Sequence, residues 1–155
     1  MYLFSATMTL NAFGDNMNLL EDILNPVVSR ILDRRDSLKD VKGFESTGIE
    51  GWFKVEIVAA LKNKIVELQN KGPRLFLKDD IEIAIKAGTD FNPAYFIEES
   101  LKYNCPCIFL GDADNHKKIA ELTSNSRIKI VGYKMFHDGV SDWIIGMIHP
   151  KSGNR

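Results

Sequence analysis

Asp80, Glu82 and Lys86 stand close together in the run Asp79-Asp80-Ile81-Glu82-Ile83-Ala84-Ile85-Lys86-Ala87. Read with a period of two, Ile81, Ile83 and Ile85 point one way, and Asp80, Glu82, Ala84 and Lys86 point the other. Two carboxylates and an ammonium on a buried or half-buried strand are costly to desolvate, so they require a metal, a polar ligand or solvent. Glu56 is a further candidate. It sits inside the apolar stretch Trp52 to Leu61 and shares a helical face with Trp52 and Ala59. A carboxylate so placed is either paired, to Lys86 or another cation, or poised for chemistry.

The elements that must position these groups follow from the pattern along the chain. Residues 1 to 14 are apolar and β-leaning and end at Gly14; they form an N-terminal arm, either a strand or a segment that lies along a partner chain. Asp15 or Asn16 caps a helix whose apolar stripe runs from Met17 to Leu32, and Pro26 predicts a kink or two short helices. The polar run Asp33 to Ser37 closes that segment as a solvated face, with Arg34 and Arg35 as weak candidates for phosphate contact. A second helix is predicted over about Glu50 to Gln69, with packing on more than one side because its apolar residues run almost all round.

Lys71-Gly72-Pro73 stops that helix, and Arg74 to Lys78 reads as a strand leading through a turn at Asp79-Asp80 into the charged strand. Asn92-Pro93 gives an N-cap and a first helical residue for a helix to about Tyr103. Cys107 to Leu110 is a continuous apolar run, as expected of a strand buried on both faces. A short helix to Leu122, capped by Asn115, then precedes strands over Arg127–Tyr133 and Trp143–Ile148, joined by a turn at Asp138-Gly139. This order predicts a single-domain α/β sandwich with a central mixed β-sheet: arm 1–14, core 15–150, loose tail 151–155. A right-handed crossover makes the charged strand and the Cys107 strand parallel neighbours.

Composition narrows the classes. The 155 residues carry a formal net charge of −1, which gives no bulk attraction to nucleic acid or membrane. No apolar run reaches the roughly 20 residues of a membrane span, and the opening residues lack a secretory pattern, so the cytoplasm is the expected compartment. Cys105 and Cys107 read as buried free thiols. His116, His137 and His149 are scattered and read as surface residues. Two basic groups, Lys62, Lys64, Lys71 and Arg74, and Lys117, Lys118, Arg127 and Lys129, are the sequence's candidates for DNA contact.

The helix bearing Glu56, the strand pair with Asp80 and Lys86, the following helix and the buried Cys107–Gly111 strand together resemble the PD-(D/E)XK, restriction-endonuclease-like nuclease superfamily over roughly residues 50 to 112. The resemblance implies the restriction-endonuclease-like fold and Mg²⁺-dependent (or Mn²⁺-dependent) phosphodiester hydrolysis of DNA. It implies Asp80, Glu56 and Glu82 as metal ligands and Lys86, Glu56 and Glu82 as catalytic groups. Hard oxygen donors suit Mg²⁺, and a neighbouring cation stabilises an attacking hydroxide. The sequence departs from the family at one place: Ala84 stands where an acid is expected two residues before Lys86. Glu82 is about 13 Å along the strand from Lys86, too far to replace that acid directly.

Three readings accommodate Ala84: a substitution that removed an acidic residue, an acidic role transferred to Glu82 or Glu56, or a non-catalytic relative that kept the fold. On the last, the charges are the solvated face of an edge strand. The chain is then an interaction module that associates through its N-terminal arm, with a homodimer as the expected partner state. A second enzyme class rests on Gly111-Asp112-Ala113-Asp114, placed where open α/β sheets bind ligands; no glycine-rich phosphate loop accompanies it.

Overall fold

The computed structural model describes residues 18–41, 46–68, 74–78, 81–89, 92–112 and 116–151. Six strands form one mixed sheet in the order β1-β2-β3-β4-β6-β5: β1 (Ile65–Leu68), β2 (Arg74–Leu77), β3 (Ile81–Gly88), β4 (Cys107–Asp112), β5 (Ile128–His137) and β6 (Asp142–Pro150). β1, β2 and β3 make an antiparallel meander. β3 and β4 are parallel, and β6 and β5 return antiparallel. The helices are α1 (Asn25–Asp33), α2 (Arg35–Val41), α3 (Ser46–Ala60), α4 (Pro93–Tyr103) and α5 (His116–Ser124). The expected α/β architecture with a mixed sheet is therefore present, and the parallel β3–β4 pair is joined through α4. Among the described residues no helix is long and apolar enough to cross a membrane.

Alternation sorts the sheet into two faces. Leu75, Leu77, Ile81, Ile83, Ile85, Ile108, Leu110, Trp143, Ile145 and Met147 share one core with α1, α2 and α3. Ala84, Cys107, Phe109, Ile128, Ile144 and Ile148 share the other with Phe96 and Ile97 of α4 and Leu122 of α5. A bulge between Ile130 and Gly132 shifts the alternation along β5, so that Tyr133 and Met135 return to the second core with Ile128 and Ile130 although Val131 faces the first. Gly146 is required on β6. A Cβ there would lie 2.8 Å from the Gly132 carbonyl oxygen and 2.8 Å from Cζ of Phe109. The ring of Phe109 occupies that space and stacks on Phe96 with centroids 4.8 Å apart.

Several local expectations change. Asp15 and Asn16 lie outside the described residues; the observed cap is Asn18, whose side chain accepts from the amides of Leu20 and Glu21. The segment it opens is a π-helical turn, Leu19–Leu24, closed by the Asn25 amide donating to the Leu20 carbonyl. Pro26 then sits in the first turn of α1, where its missing donor is harmless. The run after Asp33 is not merely a solvated end: Arg34 is a joint, and α2 follows with Leu38 fully buried. α3 stops at Ala60, not near Gln69, because the chain turns over Leu61–Lys64 and β-branched Ile65-Val66 enters β1. The Asp79-Asp80 turn and the Asn115 cap lie outside the described residues.

β3 is third of six strands, so its charges are not those of an edge strand. They face the α4 side. His149 also departs from expectation, being only 6% exposed on β6, whereas His137 is at the surface. Cys105 and Cys107 are free and buried, as their apolar surroundings predicted.

Candidate functional site

The second face of β3 is where the candidate residues meet their surroundings. Register sets Arg74 and Cys107 beside Ala84, Phe76 beside Glu82, and Phe109 beside Lys86. Arg74 Nη1 donates a short hydrogen bond to Glu82 Oε1, and its guanidinium lies over the Tyr103 ring of α4, 4.3 Å from the centroid. Glu82 is thus clamped between strand neighbours and the end of a helix. Tyr103 is held there by the α4 terminus, where Asn104 takes the left-handed conformation (φ 51°) and Ser100 Oγ donates to the Cys105 carbonyl at 2.6 Å. That closure swings Cys105-Pro106-Cys107 back into β4.

Ala84 has no exposed surface, and its amide donates to the Pro106 carbonyl at 2.8 Å. Its methyl belongs to the apolar cluster of Phe96, Ile97, Cys105, Cys107 and Phe109. The position expected to carry an acid is therefore packed as core. Lys86 is half-buried one pleat further along, and among the described residues it has neither a hydrogen bond nor an ion pair. On α4, Glu99 carries a carboxylate oxygen, Oε2, that is buried without a hydrogen-bond partner among the described residues. Both groups act on Cys107. Burial pushes that thiol well above its ordinary range, with Cys105 and Glu99 adding to the rise and Lys86 opposing it. Burial likewise pushes the Cys105 thiol up to about 12, Glu82 adding to the rise. Neither sulfur is poised as a nucleophile.

Glu56 stands elsewhere. It is 6% exposed on α3, in the layer over the first face, and accepts from Arg30 Nε of α1 at 2.6 Å. The partner left open by the sequence is thus Arg30, and the pair ties α3 to α1. Glu82 and Lys86 lie on the second face and Glu56 beside the first, so the sheet separates them. Asp80 lies outside the described residues. Among the described residues no three His, Cys, Asp or Glu side chains are arranged to hold a metal ion. Glu56 and Glu82 each already hold an arginine, and Ala84 offers no donor. Glu56 and Glu82, set apart by the sheet, do not share one metal shell.

The basic groups are also partly committed. Lys64 Nζ donates to the Asp22 carbonyl at 2.9 Å, and Arg74 is held by Glu82, whereas Arg127 and Lys129 remain exposed on and before β5. Sequence reasoning does not single out Arg30, Tyr103 or Glu99, and it names Arg74 only as a candidate for DNA contact. Arg30 and Glu56 are 26 residues apart, and no local spacing announces such a pair. The Arg74–Glu82 pair is within reach of sequence reasoning, since the hairpin register pairs Arg74 with Ala84 and Phe76 with Glu82 and so sets Arg74 and Glu82 as diagonal cross-strand neighbours on one face. Comparison with family models, curated proteins and solved structures finds no match to this chain.

Proposed function

We propose that the chain is a non-catalytic interaction module built on a restriction-endonuclease-like scaffold, in which the carboxylates resembling a nuclease site serve as structural ion pairs. The scaffold half of this reading is supported by element order. A helix, an antiparallel three-strand meander, a crossover helix and a parallel fourth strand occur as α3-β1-β2-β3-α4-β4, over the stretch that carries the family resemblance. The non-catalytic half is carried by one observation: Ala84 is fully buried in the α4 core at the position where metal-dependent hydrolysis needs an acid.

A glutamate introduced there would have to displace Phe96 or the Cys105–Cys107 segment, or bury a carboxylate without a partner. The close packing speaks for a small residue at this place and against a simple loss of an acid from a ready-made site.

Incubation of plasmid, short duplex and branched DNA with the full chain in Mg²⁺ or Mn²⁺, with EDTA controls, tests the reading. The expected result is no metal-dependent cleavage, either by this chain or by Ala84→Glu, which should also be destabilised by about 2–4 kcal/mol. Cleavage that requires the metal and disappears in Lys86→Ala would overturn it and make the chain a Mg²⁺-dependent nuclease.

A further inference from the structure

We propose that the end of the β5–β6 hairpin that carries Arg127 and Lys129 binds the phosphate backbone of a nucleic-acid strand. Antiparallel register sets Lys129 directly opposite His149. The Lys151 amide donates to the Arg127 carbonyl at 3.0 Å, which places Arg127 and Lys151 across from each other two residues further out. Alternation turns Lys129 and His149 away from the face on which Ile128 and Ile148 are buried with α4 and α5, and Arg127 and Lys151 flank them at the open end. Arg127 and Lys129 are exposed, Lys151 is half-buried and His149 is buried. Four basic residues therefore stand together on the outermost strand pair of the sheet.

The chain by itself gains nothing from this grouping. Like charges directly across a ladder destabilise it, and no acid offsets these. Neither residues 122–137 nor residues 143–155 contain an aspartate or glutamate. Among the described residues Arg127, Lys129 and Lys151 make no ion pair, whereas Arg30, Lys54, Lys64 and Arg74 each face a carboxylate. The proximity is felt at His149, where Lys129 adds to burial in holding the pKa down. Composition does not force the mismatch, since the chain has 20 lysines and arginines against 21 acids.

The chemistry of the patch selects its occupant. A protein partner is normally held by an apolar core inside a polar rim, but the exposed residues at this end are Ser126, Arg127 and Lys129. Affinity must come from charge. A run of phosphates supplies it, because each lysine or arginine that neutralises a phosphate releases condensed counterions, with no base contact needed. The sheet separates this patch from Glu82 and Lys86, which face the α4 side, so it is not the set of residues that resembles a nuclease site. It names a partner for the interaction module proposed above and stands on the patch alone, whether or not the chain cuts DNA.

Fluorescence anisotropy of the full chain with labelled single-stranded DNA and RNA oligonucleotides, in EDTA at stepped salt, tests it, and the two arms distinguish the sources of the phosphates. Arg127, Lys129 and Lys151 together predict a log–log salt slope of about −2. Combining Arg127→Gln with Lys129→Gln should weaken binding about tenfold or more and reduce the slope to about −0.7. The thermal midpoint of that variant should rise by about 1–2 °C as the like charges are relieved, so that loss of binding is separated from damage to the fold. Lys118→Gln on α5, across the sheet, should bind as the parent does. No binding by the parent chain, or equal binding by the double variant, overturns the proposal. So does a lower midpoint in the double variant, which would mean that the folded chain already matches these charges. Polyglutamate competing as well as the oligonucleotides also overturns it and assigns the patch to an acidic protein segment.

Discussion

The two faces of the sheet solve the same packing problem differently. On the face covered by α1, α2 and α3, the strands contribute apolar side chains, and charge enters between helices, as the Arg30–Glu56 pair that ties α1 to α3. On the face covered by α4 and α5, charge stands in the sheet itself, with Arg74, Glu82 and Lys86 at one end and the Phe96–Phe109 stack over Gly146 at the other. A charged residue on an interior strand therefore does not by itself mark a site. Glu82 is accommodated by a guanidinium that is in turn stacked on Tyr103, and Ala84 beside it is plain core.

The sharpest way to break the second face is Gly146→Ala. Its new methyl would meet a backbone oxygen and two aromatic side chains, of which the backbone cannot yield, so denaturant unfolding should show a loss of about 3 kcal/mol. A loss below 1 kcal/mol would mean the stack is looser than its geometry. Arg30→Ala probes the first face. It strands a buried carboxylate, but Arg30 is itself about a third exposed and water can partly replace it, so about 2 kcal/mol is expected. Arg74→Ala on the second face should cost only about 1 kcal/mol, because the Glu82 side chain is already about a quarter exposed and regains solvent. If Arg74→Ala proved the costlier of the two, the ranking of the faces would be reversed.

Two smaller effects sharpen the contrast at the margins. Asp138 closes the β5–β6 turn by accepting from the amides of Val140 and Ser141 and from Trp143 Nε1 at 2.8 Å. Burial works to raise its pKa, but these donors prevail and hold it below the ordinary carboxylate range. Its contribution is complete above the unfolded-state value of about 3.9 and is lost as pH falls through the lower folded value. The stability difference between the parent and Asp138→Asn should therefore shrink in acid, as unfolding curves at stepped pH would show. His149 behaves similarly at higher pH. Burial depresses its pKa, so stability should decline as pH drops below about 6.5, and His149→Gln should flatten that slope.

Much of the frame was readable residue by residue. The isoleucine alternation marked β3, Asn92-Pro93 marked the start of α4, and the unbroken Cys107–Leu110 run marked an interior strand. β1 was not readable, because a four-residue strand directly after an apolar helix continues the same hydrophobic signal, and periodicity cannot separate the two. The candidate site was readable only as a set of residue types. Sequence spacing placed Glu82 and Lys86 on one side of β3 and gave Glu56 an apolar helical setting, because strand and helix periods follow from local backbone geometry. Which layer covers which face was decided only in three dimensions. The sheet sets Glu56 apart from Glu82 and Lys86, Arg30 and Arg74 claim the two carboxylates, and α4 packs Ala84 into the core. Apart from the Arg74–Glu82 pair, which belongs to the β2–β3 hairpin, those outcomes depend on contacts between distant segments, and no local pattern encodes them.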